Sequence, residues 1–307
     1  MRVLFAGTPA TAIPALERIL QANFEVVGVL TAPPAPAGRG RKLTPSAVAE
    51  FAHQQGLDVL DFADVNSESA RTEIQNRRPD VVAVVAYGQL LKLAALEIPP
   101  HGWINLHFSL LPLWRGAAPV QSAILAGDEI TGATTFQIET GLDTGPIFGS
   151  FTTDIDPKET AGELLARLAE SGAELLVQTL HLIESGKAAP ISQTDENASY
   201  APKISVADGQ INWHQPALAI TRRVRAFNPS PYAWSTFAGE RILIGKAQIS
   251  AATDLLPSEI SVEKNQVLVG TGSTAIEVLE VKPAGKGWMK AADWARGVRT
   301  DNWKFDV

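Results

Sequence analysis

The 307-residue chain contains no cysteine. Disulfides, thiolate nucleophiles and cysteine-ligated zinc are therefore excluded. Histidine is scarce too, and of the five present, His53, His101, His181 and His214 have no ligand-like spacing. With neither His-x-His nor His-Glu-x-x-His, no catalytic metal is expected. No apolar run approaches the ~20 residues that cross a bilayer. Met1-Arg2 leads straight into Val3-Leu4-Phe5-Ala6-Gly7, with no basic prefix or cleavage site. These absences make a cytoplasmic protein without a membrane partner the expectation. An excess of positive charge is also missing, the net charge being −7. The balance is uneven, however. Residues 208–307 hold 12 Lys+Arg against 10 Asp+Glu, and residues 1–207 hold 14 against 23. The second half is the better candidate to face an anionic partner, although +2 alone is ordinary surface.

What is present alternates. Apolar runs at Val3–Ala6, Val26–Leu30, Val81–Ala86, Trp103–Leu106 and Thr134–Ile138 are separated by amphipathic stretches. Those stretches are Ile13–Gln21, Pro45–Gln54, Ser69–Arg78 and Pro119–Leu125. Val81-Val-Ala-Val-Val-Ala86 does not alternate in polarity, as a strand covered on both faces requires. Strand and helix in turn predict an α/β domain with a doubly wound, mostly parallel sheet. Residues 160–186 carry a leucine stripe and predict a long helix or a helix pair. Residues 188–207 are polar and turn-rich, a linker by composition. From 208 to 307, short β-type runs at Arg241–Ile244, Gln266–Val269 and Ala275–Val281 predict a small barrel or open β domain. The α/β domain is thus expected over 1–187. Thr31-Ala-Pro-Pro-Ala-Pro-Ala-Gly-Arg-Gly-Arg-Lys42 is too rich in proline and glycine for regular structure and predicts a mobile loop with a basic end.

The most informative stretch runs from Asn105 to Gly116: Asn-Leu-His-Phe-Ser-Leu-Leu-Pro-Leu-Trp-Arg-Gly. Asn105 and His107 are two apart, so on a strand both point to one face. Ser109 continues that alternation, and Leu-Leu-Pro112 ends the ladder. Polar groups at the carboxyl end of a buried strand are where α/β sheets bind ligands. A second cluster, Gly141-Leu-Asp143-Thr-Gly145, sets one carboxylate between glycines. Alone, Asp143 reads as an aspartate capping its own turn, and His107 alone as a satisfied structural histidine. Together with Asn105 they read as a site. An aspartic protease is excluded, because its reaction needs two Asp-Thr-Gly aspartates. Gly7-Thr-Pro9 fails as a dinucleotide fingerprint and reads as a tight turn. Asn and His can donate to an oxygen that gains charge, and an aspartate can support the histidine. No nucleophile is evident, since Ser109 lacks a Gly-x-Ser-x-Gly setting. The chemistry read from these residues is direct acyl-type transfer to a second substrate.

Asn-x-His-x-Ser-Leu-Leu-Pro, then Arg-Gly, then Gly-Leu-Asp-Thr-Gly resembles the signature of 10-formyltetrahydrofolate-dependent formyltransferases. Phe5-Ala-Gly-Thr-Pro9, Val84-Val-Ala-Tyr-Gly88, Lys203-Ile-Ser, Ile211-x-Trp213, Arg225-Ala-Phe-Asn-Pro229 with Trp234, and Pro283-Ala-Gly-Lys286 extend the likeness over nearly the whole chain. The resemblance implies a formyltransferase domain and an OB-like β-barrel. It implies formyl transfer from 10-formyltetrahydrofolate to the α-amino group of methionine on initiator tRNA. Transfer would be direct, through a tetrahedral intermediate and without a covalent enzyme intermediate. Asn105, His107 and Asp143 take the catalytic positions, and Ser109, Leu110, Leu111, Pro112, Tyr87 and Gly88 the folate-contacting ones. Arg39, Arg41 and Lys42 in the basic loop, with Arg222 and Arg225 beyond it, are the implied tRNA contacts. The implied enzyme needs no metal and acts as a monomer. The alternative is a formyltransferase for a small amine, such as an amino sugar nucleotide or a purine precursor. The extra domain of about a hundred residues speaks against it. Three features depart from the family pattern: Phe108 replaces a small residue, the basic loop begins Pro33-Pro-Ala-Pro, and Asn302-Trp-Lys-Phe-Asp-Val307 has no clear counterpart.

Overall fold

The computed structural model describes residues 1–37 and 40–306. They form two compact units. The first comprises Met1–Pro119, Ile130–Asp154 and Leu165–Ala201; the second comprises Val120–Glu129, Ile155–Leu164 and the chain from Pro202.

In the first unit, strands β1 (Arg2–Gly7), β2 (Glu25–Leu30), β3 (Val59–Leu60), β4 (Val81–Val85), β5 (Trp103–His107), β6 (Ile130–Gln137) and β7 (Ile147–Asp154) make one sheet. Its order is β7-β6-β5-β4-β1-β2-β3. The pairs from β5 to β3 are parallel, whereas β6 and β7 run antiparallel. All five residues of β4 are buried, which is why the run carries no polar alternation. The crossover helices are α1 (Ile13–Gln21), α2 (Ala47–Gln54) and α3 (Glu68–Arg77). Two of them begin on serine caps: Ser46 accepts from Ala49 N–H, and Ser67 accepts from Ala70 N–H. The strand order reverses between β1 and β4, so the ligand crevice of such a sheet opens at their carboxyl ends. Gly7 sits there because a Cβ would lie 2.8 Å from Ala12 Cβ and 2.9 Å from Val85 O.

Two expectations change. The proline-rich stretch is not devoid of regular structure: Ala35–Ala37 pairs antiparallel with Lys42–Thr44 as a short ribbon. Proline is compatible with it because this two-stranded ribbon is edge on both sides, where the missing N–H matters least. The polar stretch after the long helix is tied down rather than free. Ile191 bridges Ile147, and Tyr200–Ala201 pairs parallel with Arg115–Gly116.

The second unit holds an antiparallel sheet of β8 (Ala233–Phe237), β9 (Glu240–Ile249), β10 (Ile260–Val262), β11 (Val267–Val269), β12 (Ile276–Pro283) and β13 (Met289–Lys290). The order is β8-β9-β12-β11-β10, with β13 on β12. It curls over a core that includes Trp213, Ile220, Val224, Ile244, Val269, Val281 and Phe305. The carboxyl-terminal tail touches both free edges of this sheet. Asp306 N–H donates to Thr236 O at 2.8 Å, and Ile260 N–H donates to Trp303 O at 2.8 Å. The tail therefore closes the half-barrel with backbone pairing. Phe305, 1% exposed, stacks on Trp213 with ring centroids 4.9 Å apart. Phe305→Ala is expected to cost about 3–5 kcal/mol of stability, read as a lower urea midpoint.

Candidate active site

The parallel pairing that buries β5 places His107 at its carboxyl end, with Asn105 two residues earlier. Phe136 lies opposite Asn105 in the β5–β6 ladder, and its ring meets the His107 ring edge-on at 6.3 Å. Opposed residues share a face, so Asn105, Phe136 and His107 project together. The His107 imidazole is 5% exposed. Its Nε2 lies 2.9 Å from Trp114 O. A carbonyl only accepts, so Nε2 carries the hydrogen and Nδ1 is bare in the neutral ring. Burial pushes the His107 pKa below its usual range; the Asp143 charge opposes that shift without cancelling it. The ring is therefore a neutral base at physiological pH. Asn105 is half-buried, and its carboxamide makes no hydrogen bond to another group among the described residues.

Asp143 arrives by an indirect route. Gln137 pairs with Ile104, three residues before His107, so the β6–β7 loop starts at the far end of β5. Asp143 Oδ2 nonetheless stands 3.7 Å from His107 Nδ1. The loop must turn back along the sheet to achieve this. Asp143 adopts φ +52°, in the left-handed region. Gly145 allows the chain to close on itself, since a Cβ there would meet Gln137 O at 1.8 Å. Gly116 N–H donates to Asp143 Oδ2 at 2.7 Å and fixes the carboxylate. Beyond hydrogen-bond length, the 3.7 Å gap leaves Nδ1 able to receive a proton beside a negative charge.

The other expected residues divide. Ser109 is fully buried and donates to Leu113 O at 2.6 Å, so its hydroxyl shapes the loop after β5. Thr134 Oγ1 fastens the same loop, donating to Ser109 O and accepting from Leu111 N–H. Leu110 and Pro112 are half-buried, while Leu111 and Phe108 are buried. The Tyr87 ring belongs to the core beside β4, and its buried hydroxyl has no partner among the described residues. Gly88, at φ +86° with open space on its Cβ side, exposes backbone instead. Arg41 and Lys42 are exposed on the short ribbon, and Arg39 lies outside the described residues. Arg222 and Arg225 are not free basic fingers. Arg222 packs over Gly127 and donates to Ala126 O, and Arg225 donates to Glu159 O at 3.0 Å. Both line a cleft of about 640 Å³ in the second unit, with Lys158 and Lys246 beside Asp128 and Glu163.

Sequence reasoning missed three supports. Trp114 O anchors His107, Gly116 N–H anchors Asp143, and Gln193 donates to Asp143 O and Gly145 O at 2.9 and 2.7 Å. Two act through backbone groups, which every residue carries. Gln193 stands in a polar stretch without periodicity, so no local signal marks it. Among the described residues, no group of three His, Asp or Glu is arranged to hold a metal, and no helix is long and apolar enough to cross a membrane.

Residues 1–180 match the formyl transferase family model, and residues 203–299 match the formyl transferase C-terminal domain. The chain is 54% identical to a methionyl-tRNA formyltransferase of Paenarthrobacter aurescens, over 98% of both proteins. It is 53% identical to the one of Mycobacteroides abscessus, again over 98% of both. Two solved structures share the fold. The N-formyltransferase of Helicobacter canadensis, in complex with folinic acid and dTDP-3-aminofucose, has a TM-score of 0.65 at 18% identity, covering 90% of this chain and 98% of its own. A methionyl-tRNA formyltransferase of Clostridium thermocellum has a TM-score of 0.58 at 13% identity, covering 94% of this chain and 100% of its own. With both halves matched and the likeness to the curated relatives running almost end to end, the chain belongs to the methionyl-tRNA formyltransferase family.

Proposed function

We propose that this protein transfers the formyl group of 10-formyltetrahydrofolate to the α-amino group of methionine on initiator tRNA, as a cytoplasmic monomer. The observation that carries this reading is the grouping of a carboxamide unpaired among the described residues, a neutral buried imidazole and a carboxylate at the end of β5. The donor suits the site: the half-buried Leu110 and Pro112 offer apolar surface, and Gly88 an open stretch of backbone, to a flat heterocycle. The folate supplies an acyl carbon already bonded to nitrogen. Attack by the amine gathers negative charge on the formyl oxygen, and Asn105 donates to it. His107 takes the amine's proton at Nδ1. Asp143 then offsets the imidazolium charge, and the same proton is available to the leaving nitrogen. No bond to the protein forms at any step.

For the acceptor, the exposed Arg41 and Lys42 supply cations for the phosphate backbone, as do Lys158 and Lys246 in the second unit. Arg222 and Arg225 support that cleft by holding its backbone. The test is acceptor choice under steady-state conditions: methionyl initiator tRNA, free methionine and an amino sugar nucleotide compared at equal concentration. The charged tRNA is expected to be the preferred substrate by orders of magnitude in kcat/KM. Preference for the amino sugar would move the activity to the small-amine class.

A further inference from the structure

The loop carrying Asp143 is held from behind by one side chain. Gln193 Nε2 donates to Asp143 O at 2.9 Å and to Gly145 O at 2.7 Å, on either side of Thr144. Its Oε1 accepts from Arg115 Nη2 at 2.9 Å and from Arg115 Nε at 3.2 Å. Both amide hydrogens and both oxygen lone pairs are thereby used. Arg115 is 1% exposed and can only donate, so it fixes which end of the carboxamide is oxygen. Asp195 closes the chain, pairing with Arg115 Nη1 at 2.9 Å. From the same stretch, Arg115 N–H donates to Ser199 O at 2.8 Å.

A non-glycine residue at positive φ persists only where its surroundings over-determine it. At Asp143 the surroundings are Gly116 N–H on the carboxylate and Gln193 on the main chain. We infer that Gln193, oriented by Arg115, is a positioning residue for Asp143, so that the segment leading into the second unit sets the carboxylate's distance from His107. The inference rests on the proposed role of Asp143. Misplacing the carboxylate by about 1 Å costs on the order of 100-fold in rate when chemistry depends on it.

Gln193→Glu is the informative change. A carboxylate keeps both bonds from Arg115 and loses both donors to the loop. The expected result is a kcat about 10- to 100-fold lower, with KM for donor and acceptor within about threefold. Gln193→Met, also without those donors, controls for the added charge and should show the same split between kcat and KM. The deciding comparison is Gln193→Glu combined with Asp143→Asn. If Gln193 acts through Asp143, the double variant is no slower than Asp143→Asn alone. A Gln193→Glu enzyme with wild-type kcat, or losses that multiply in the double variant, would overturn the inference. Asp143→Asn with normal turnover would instead remove the catalytic reading on which it stands.

Discussion

Asp143→Asn is expected to lower the single-turnover rate by ~1,000- to 10,000-fold, the scale seen when an aspartate behind a catalytic histidine is neutralised. The substitution keeps the size of the side chain and an oxygen for Gly116 N–H, so the loop should keep its course. What disappears is the charge that opposes burial at His107. Burial is then opposed only by the hydrogen bond to Trp114 O, and the native imidazole pKa moves further down. The sign of the pH effect follows. In the wild-type enzyme the base form of His107 persists below the ordinary imidazole value of about 6.5, so the acidic limb of kcat/KM lies under that value. In Asp143→Asn the limb shifts lower still while the plateau collapses, because the imidazolium formed in the reaction has lost its counter-charge. Folate affinity, read by fluorescence titration, should stay within a few fold. Lost folate affinity with normal chemistry would make Asp143 a binding residue.

His107→Ala removes the base itself, and Asn105→Ala removes the donor to the developing oxyanion. Loss of one such donor typically costs about 100- to 1,000-fold in kcat, and His107→Ala should be at least as severe. Neither should unfold the protein. Asn105 has no partner among the described residues, and His107 contributes one neutral hydrogen bond, worth about 1 kcal/mol net. Circular dichroism and thermal midpoints check the fold, and quenched-flow rates check the chemistry. Variants within about threefold of wild type would place the reacting atoms elsewhere.

The parts of this fold that can be read in sequence are those dictated by local periodicity. Val81–Val85 is apolar throughout because both faces are covered, and the stretch around Ile13–Gln21 repeats at helical spacing because one face is buried. The pairing of Asn105 with His107 follows from strand alternation alone. Asp143 is different. Its glycines announce a tight loop, but nothing local says that the loop doubles back some three residues' length along β5. That course is fixed by Gln193 and Gly116, distant in sequence. The stretch around Gln193 reads as a linker because most of it is exposed, and nothing local marks Gln193 and Asp195 as the two side chains that pair with the buried Arg115. Arg222 and Arg225 show the same limit: their charge is visible in a sequence, and the carbonyls of Ala126 and Glu159 that they meet are not. The tail from Asn302 carries no strand pattern, since its pairing is divided between two edges.

The most direct test follows the formyl group itself. The enzyme is mixed with 10-formyltetrahydrofolate labelled in the formyl carbon and with methionyl initiator tRNA, then quenched over a single turnover. Label should pass to the methionine α-amine in one phase, with none on protein at any time and none reaching the acceptor in His107→Ala over the wild-type half-time. Label trapped on the protein, or transfer undiminished in that variant, would contradict direct transfer by Asn105, His107 and Asp143.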